Sequence, residues 1–465
     1  MSNSHNTVQD LAVHAPNGGP PITIEQLRKD QDNNTRDKYP RRLIVCCDGT
    51  WQDGLATKAE EEYTNILRLT RAIRQEDRRH FPPTPQICHY VSGVGTGWSL
   101  SEQLIGGATG NTLGIKIRDA YAFLSQNYCD GDEIFLFGFS RGAFTARTLG
   151  ALINDIGILN NKEMEHFFEI FKAYHDRNDS GNPKKAEKAR NYLEPWLLRN
   201  PANNRHKGRQ FIIKCIGVFD TVGALGVPSL SSSFFPKMKS EENYMGFPDT
   251  VLGDKVEHCY HALSLHENRP NFVDTRLEVK KENLAKGQHC KQVWFTGCHS
   301  DIGGSYREHE LSDLTLIWMC ASIEHLLLLD IEYLRSIPNP MEGWGKQQPH
   351  DSRTGIFTLG MPIKRKPVLE LSTTERLHPS VLENDCKLAK PIQEKIDKEP
   401  QLIASLLPLE EQFRAEWKQT HDAEDRKKGS KYHTSKDKKN FDDEENESTM
   451  KKYWDMIPKP WNIFS

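Results

Sequence analysis

Residues 132–152, DEIFLFGFSRGAFTARTLGAL, pass from a short apolar run into a helix-forming stretch across one tight turn, Gly138-Phe139-Ser140-Arg141-Gly142. Ile134–Phe137 is short, apolar and aromatic, the pattern of a strand buried on both faces. A buried strand that feeds directly into a helix belongs to a layered sheet with helices packed on it. Two glycines flank the serine where a strand and a helix come too close for Cβ atoms. The turn therefore lifts the Ser140 hydroxyl above the sheet, with a helix N-terminus behind it.

The same rhythm recurs along the chain. Leu43–Cys47, Ile87–Val91, Phe211–Phe219 and Gln292–Thr296 read as four more buried strands, separated by longer amphipathic stretches. Helices are expected over Leu113–Tyr128, Gly142–Leu152 and Leu314–Leu334. The fold class is α/β: a mostly parallel sheet with helices on both faces. His258, His261 and His266 lie in a segment that reads as helical. Residues 1–38 read as a polar, disordered tail, 39–420 as the folded unit, 421–452 as a charged flexible segment and 453–465 as the C-terminal end.

Charge narrows the function classes. The chain carries 61 Lys and Arg against 64 Asp and Glu, a formal net charge of -3, which gives no footprint for nucleic acid. Ten cysteines occur without a metal-type pair, and the adjacent Cys46 and Cys47 must point to opposite faces of their strand. They read as buried free thiols of an intracellular, cytoplasmic protein. The longest apolar stretch, Leu314–Ile323, is well short of the roughly 18 residues a membrane span needs. It reads as a core helix, so membrane contact would be peripheral. Composition leaves the oligomeric state open.

Each expected strand delivers unusual residues at its carboxyl end, where open α/β sheets bind ligands. The first ends in Asp48-Gly49-Thr50, the second in a glycine-rich turn over residues 93–97, and the third in Gly138–Gly142. The fourth ends in Asp220, and the fifth leads to Cys298-His299-Ser300-Asp301. A serine becomes a nucleophile when a base takes its proton, and the base needs an acid to fix its tautomer. In α/β-hydrolase-like chains the order is Ser, acid, His. Ser140, Asp220 and His299 fill it. The Arg141 amide, with one from Gly49 or Thr50, would form the oxyanion hole. This chemistry needs no metal and no cofactor. Asp48 is a candidate for the substrate pocket. So are Phe234 and Phe235, in an aperiodic stretch of residues 227–250 rich in apolar side chains. Other sites lack their signatures: Cys46 stands where a haloacid-dehalogenase-type phosphatase needs its nucleophilic Asp, and no P-loop or zinc helix is present.

RRLIVCCDGTW, DEIFLFGFSRGAFTAR, CIGVFDTVGALG, HALSLHENRPNF and VWFTGCHSDIGGSY, in this order, resemble the DUF2235 family. That family includes the catalytic domain of bacterial type VI secretion phospholipase effectors of the Tle1 kind. The resemblance covers roughly residues 40–335, with ERLHPSV at Glu375–Val381 as a late element. It implies an α/β-hydrolase fold and a Ser140, Asp220, His299 triad, with phospholipid or another lipid ester as the substrate class. His266 stands where many members carry Asp. A second reading keeps the fold and drops the chemistry, making the chain a non-catalytic binding or interaction module.

Overall fold

The computed structural model describes residues 40–49, 62–93, 110–179, 181–203, 205–222, 250–270, 272–338, 340–353, 361–386 and 388–417. Eight strands form one sheet: β1 (Arg42–Cys47), β2 (Glu76–Asp77), β3 (Thr84–Val91), β4 (Glu133–Phe139), β5 (Ile213–Phe219), β6 (Val256–Ser264), β7 (His289–Phe295) and β8 (Glu375–Leu377). The order is β2-β3-β1-β4-β5-β6-β7-β8. All neighbours run parallel except the short β2, which pairs antiparallel with β3. The expected mostly parallel α/β sheet is therefore present.

Alternation along the central strands builds two cores. On one face Ile44, Cys46, Phe135, Phe137 and Phe219 meet α1 (Asn65–Ala72) and the later helices. On the other, Leu43, Val45, Cys47, Ile134 and Leu136 pack against α2 (Gly110–Asn127) and α3 (Arg141–Ile156). Also on that side lie α4 (Phe167–Asp176) and α5 (Pro183–Leu193). Cys46 and Cys47 fall into opposite cores as the pleat requires, and all ten cysteines are free thiols.

After β6 come α6 (Lys281–Ala285), α7 (His299–Gly303), α8 (Glu310–Ile323) and α9 (Ile331–Ser336). Every residue of α8 is buried, so its all-round apolar character reflects a core position. It ends at Ile323, and the run to Leu334 expected as one helix is two. A helix over residues 408–417 adds Leu409, Phe413 and Trp417 to the first core.

A second expectation is overturned. Residues 256–264 form strand β6, not a helix, paired on both sides by β5 and β7. Its polar pattern misleads because the buried histidines find partners across the sheet. His261 donates from Nδ1 to Gln292 Oε1 at 3.4 Å and accepts the Thr221 amide at Nε2 at 3.2 Å.

Candidate active site

The registers bring the special residues together. Cys47 pairs with Gly138, Phe139 with Phe219, and Ser264 with Phe295. Asp48, Ser140 and Asp220 thus stand just past their strands on one edge of the sheet, and the loop to His299 leaves β7 on that same edge.

Ser140 is the turn residue between β4 and α3. Its φ of 58° and ψ of -125° lie in the positive-φ half of the Ramachandran map, where a side chain is strained. Its hydroxyl does not cap its own helix. Its amide donates to the Phe219 carbonyl at 3.2 Å, tying the turn to the residue before Asp220. Close packing fixes the turn from below. A Cβ on Gly142 would stand 2.2 Å from the Cys47 carbonyl oxygen, so only glycine lets α3 approach β1.

Asp220 is fully buried and adopts φ 39°. Its Oδ2 receives His299 Nδ1 at 2.6 Å and Arg365 Nη2 at 3.0 Å. Oδ1 receives the Ser264 amide at 3.0 Å and Arg365 Nη1. Burial alone would push this carboxyl up, but the Arg365 charge and the His299 hydrogen bond outweigh it and hold it below the usual carboxylate range.

His299 is the first residue of α7. Its Nδ1 is committed to Asp220, so a neutral ring carries its proton there and leaves Nε2 as the bare base. Nε2 is buried and has no hydrogen-bond partner among the described residues. The ring lies 4.7 Å from that of Phe139, the neighbour of Ser140, and α7 sits against the same phenyl at Gly303. Burial lowers the His299 pKa, and the Asp220 hydrogen bond opposes that without cancelling it. The three competing candidates, His258, His261 and His266, are engaged elsewhere. Burial pulls His261 down to about 3, and it is locked within the sheet. His266 Nδ1 accepts the Gly297 amide at 3.0 Å. His258 pairs with Cys215 and His289 toward the opposite ends of the strands.

The remaining sequence candidates divide. Gly49 faces the turn: a Cβ there would lie 3.4 Å from that of Ser140. Its amide, however, donates to Asp48 Oδ1 at 2.7 Å. Asp48 is buried and also accepts from Thr64 Oγ1 at 2.7 Å and Tyr90 Oη at 2.6 Å. Its carboxylate thus braces the end of β1 and the cap of α1. Arg141 is the first residue of α3, where backbone amides lie outside the helical ladder. Thr50, Phe234 and Phe235 lie outside the described residues.

Two contributors escape sequence reasoning. Arg365 reaches Asp220 across 145 residues. Glu267, nearly fully buried, accepts the His299 amide at 3.2 Å and Arg269 Nη2 at 2.8 Å, fixing the start of α7. HENR at 266–269 marks Glu267 as a charged cluster beside the site; nothing local marks Arg365. A cavity of about 490 Å³ lined by Asn154, Asp155, Arg177 and Lys255 sits at the far end of α3, about 20 Å of helix from Ser140. It is separate from this constellation.

Residues 41–322 match the family described as T6SS, Phospholipase effector Tle1-like, catalytic domain. The chain belongs to this family. It is 27% identical over 247 residues to the uncharacterized protein YEL023C of Saccharomyces cerevisiae, covering 50% of this chain and 32% of that one. It is also similar to a solved structure, an uncharacterized protein from Pseudomonas aeruginosa, at 16% identity and a TM-score of 0.32. That match covers 64% of this chain and 47% of the other. The chain thus spans less than half the length of either relative. No helix among the described residues is long and apolar enough to cross a membrane.

Proposed function

We propose that this Tle1-like domain is a serine hydrolase that cleaves acyl esters of lipids, with phospholipid as the leading substrate class. The observation that carries the reading is His299. Its Nδ1 is held by a buried carboxylate, its Nε2 is bare, and its ring lies 4.7 Å from that of Phe139, the residue before the serine of the strained strand-to-helix turn. Ser140 Oγ attacks the ester carbonyl as its proton moves to His299 Nε2. Asp220 holds the ring and stabilises the imidazolium that forms. The oxyanion meets the Arg141 amide at the N-terminus of α3. A second donor comes from the stretch after β1: Thr50, or Gly49 once its amide leaves Asp48. His299 then returns the proton to the departing alcohol, and a water activated by the same nitrogen releases the acid from Ser140.

The family supports the lipid side of this reading. Phe234 and Phe235 are proposed to border the acyl pocket or to touch a bilayer surface, so membrane contact is peripheral.

The test offers the purified chain short- and long-chain acyl esters and phosphatidylcholine or phosphatidylglycerol vesicles, with released fatty acid measured. Wild type should release fatty acid and Ser140→Ala should not. Binding to vesicles without any release would favour the non-catalytic module. Equal release by both proteins would remove Ser140 from the mechanism.

A further inference from the structure

We propose that Arg365 is a positioning residue for this site: it clamps Asp220 in one orientation and, by cancelling its charge, keeps His299 in the neutral form a base requires. The proposal rests on the assignment of Ser140, His299 and Asp220 given above. Arg365 lies beyond residues 41–322, the part that matches the family, so the later chain returns to complete the site.

The side chains of Arg365 and Asp220 are both completely buried. The guanidinium grips both carboxylate oxygens, Nη1 on Oδ1 and Nη2 on Oδ2. Its remaining hydrogen bonds go to backbone carbonyls, Ser264 at 3.2 Å and Phe272 at 2.7 Å. The fork is therefore fixed by three separate segments. Buried ion pairs contribute little net stability on average, because desolvating both ions offsets their attraction. This pair has another consequence, because its carboxylate is the one that holds His299. A planar fork on both oxygens leaves one lone-pair direction on Oδ2 for His299 Nδ1, which fixes the ring.

The charges facing His299 complete the case. Asp220 reaches it from the end of β5, and Glu267 and Arg269 from the segment after β6. Glu267 and Arg269 pair with each other at 2.8 Å. Asp274 and Glu267 also face Arg365, and Asp274 is paired with Arg276 at 2.9 Å. With Glu267 and Arg269 offsetting each other, Arg365 balances Asp220. Protonating His299 then leaves the buried cluster with a net positive charge, so Asp220 can stabilise the imidazolium formed in the reaction without holding the resting ring protonated. Without Arg365, the same protonation would neutralise Asp220 and become favourable.

The experiment measures the rate of fluorophosphonate labelling between pH 4.5 and 8 for wild type, Arg365→Met, Arg365→Gln and Arg365→Lys, with thermal unfolding run in parallel. In wild type the rate should fall only at acid pH. In the two neutral variants the acid limb should move up by about one pH unit, as expected when a neighbouring charge is removed. In Arg365→Lys the limb should stay in place while the rate falls, because the charge remains and the fork is lost. A purely structural role would lower the labelled fraction without moving the limb, and that result in a folded neutral variant overturns the proposal. Wild type that never labels would instead reject the serine hydrolase assignment. Should the neutral variants not fold, nitrogen spectra of the wild-type His299 ring decide. A neutral ring protonated on Nδ1 at pH 6 supports the clamp, and an imidazolium at pH 6 rejects it.

Discussion

At the scale of single residues, Asp220 holds the site together. Its two oxygens accept from His299, from both terminal nitrogens of Arg365 and from the Ser264 amide. Asp220→Asn keeps the shape but offers a donor where an acceptor is needed, which favours the wrong His299 tautomer. Ester hydrolysis should fall by as much as about four orders of magnitude. The same change leaves Arg365 buried and unpaired, so stability should drop by about 3–5 kcal/mol. Chemical denaturation beside steady-state kinetics separates the two effects; a variant with near wild-type kcat would remove Asp220 from the orienting role. The proposed Ser140, Asp220 and His299 were legible as candidates in the sequence because each follows an apolar run in the order the chemistry needs. Arg365 was not, since a lone arginine among Lys364 and Lys366 has no local pattern, and its partner is distant in the chain.

At the scale of elements, α7 is five residues long, too short to hold its place alone. Its position comes from contacts. Asp301 Oδ2 accepts the Cys298 amide at 2.8 Å, and Asp301 Oδ1 meets His350 Nδ1 at 2.6 Å. Gly303 lies directly on the Phe139 ring, where a Cβ would come within 2.0 Å of a ring carbon. Gly303→Ala should therefore push α7 off Phe139 and move His299 away from Ser140. Activity should fall at least 10-fold, with a stability loss of about 1–3 kcal/mol from overpacking. Unchanged kcat/KM would mean that the α7 contact with Phe139 does not set the geometry. Strands β1, β3, β4, β5 and β7 were readable as apolar runs, although β3, expected to be buried, is only partly so, with Ile87–Tyr90 half-buried. Strand β6 was not, because His258 and His261 break its apolar run, and only the flanking strands supply the partners that let a polar side chain be buried.

At the scale of the whole molecule, the two cores bury titratable groups whose charging opposes folding. His261 is the clearest case, with its pKa drawn down from 6.5 to about 3 by burial and then by Arg147. The unfolded chain takes up this proton first as the pH falls. Stability from His261 is therefore complete above about pH 6.5 and is lost progressively down to about pH 3, at about 1.4 kcal/mol per pH unit. His261→Gln removes the titration. The stability difference between wild type and variant should shrink by that slope as the pH is lowered from 6.5 to 5. A difference independent of pH would show that His261 is not buried in its neutral form. His350 has the opposite sign: Asp301 and Glu308 raise its pKa against burial, so its contribution is present at low pH and fades as the pH rises through its folded value. Comparing each variant with wild type keeps these terms apart.

The central claim is that Ser140 is the nucleophile, and covalent labelling tests it most directly. The full chain would be treated with a fluorophosphonate probe, digested and sequenced by mass spectrometry. A single adduct on the peptide carrying Gly138-Phe139-Ser140-Arg141-Gly142 is predicted, absent from Ser140→Ala at an unchanged melting temperature. An adduct on another residue, or equal labelling of the two proteins, would contradict it.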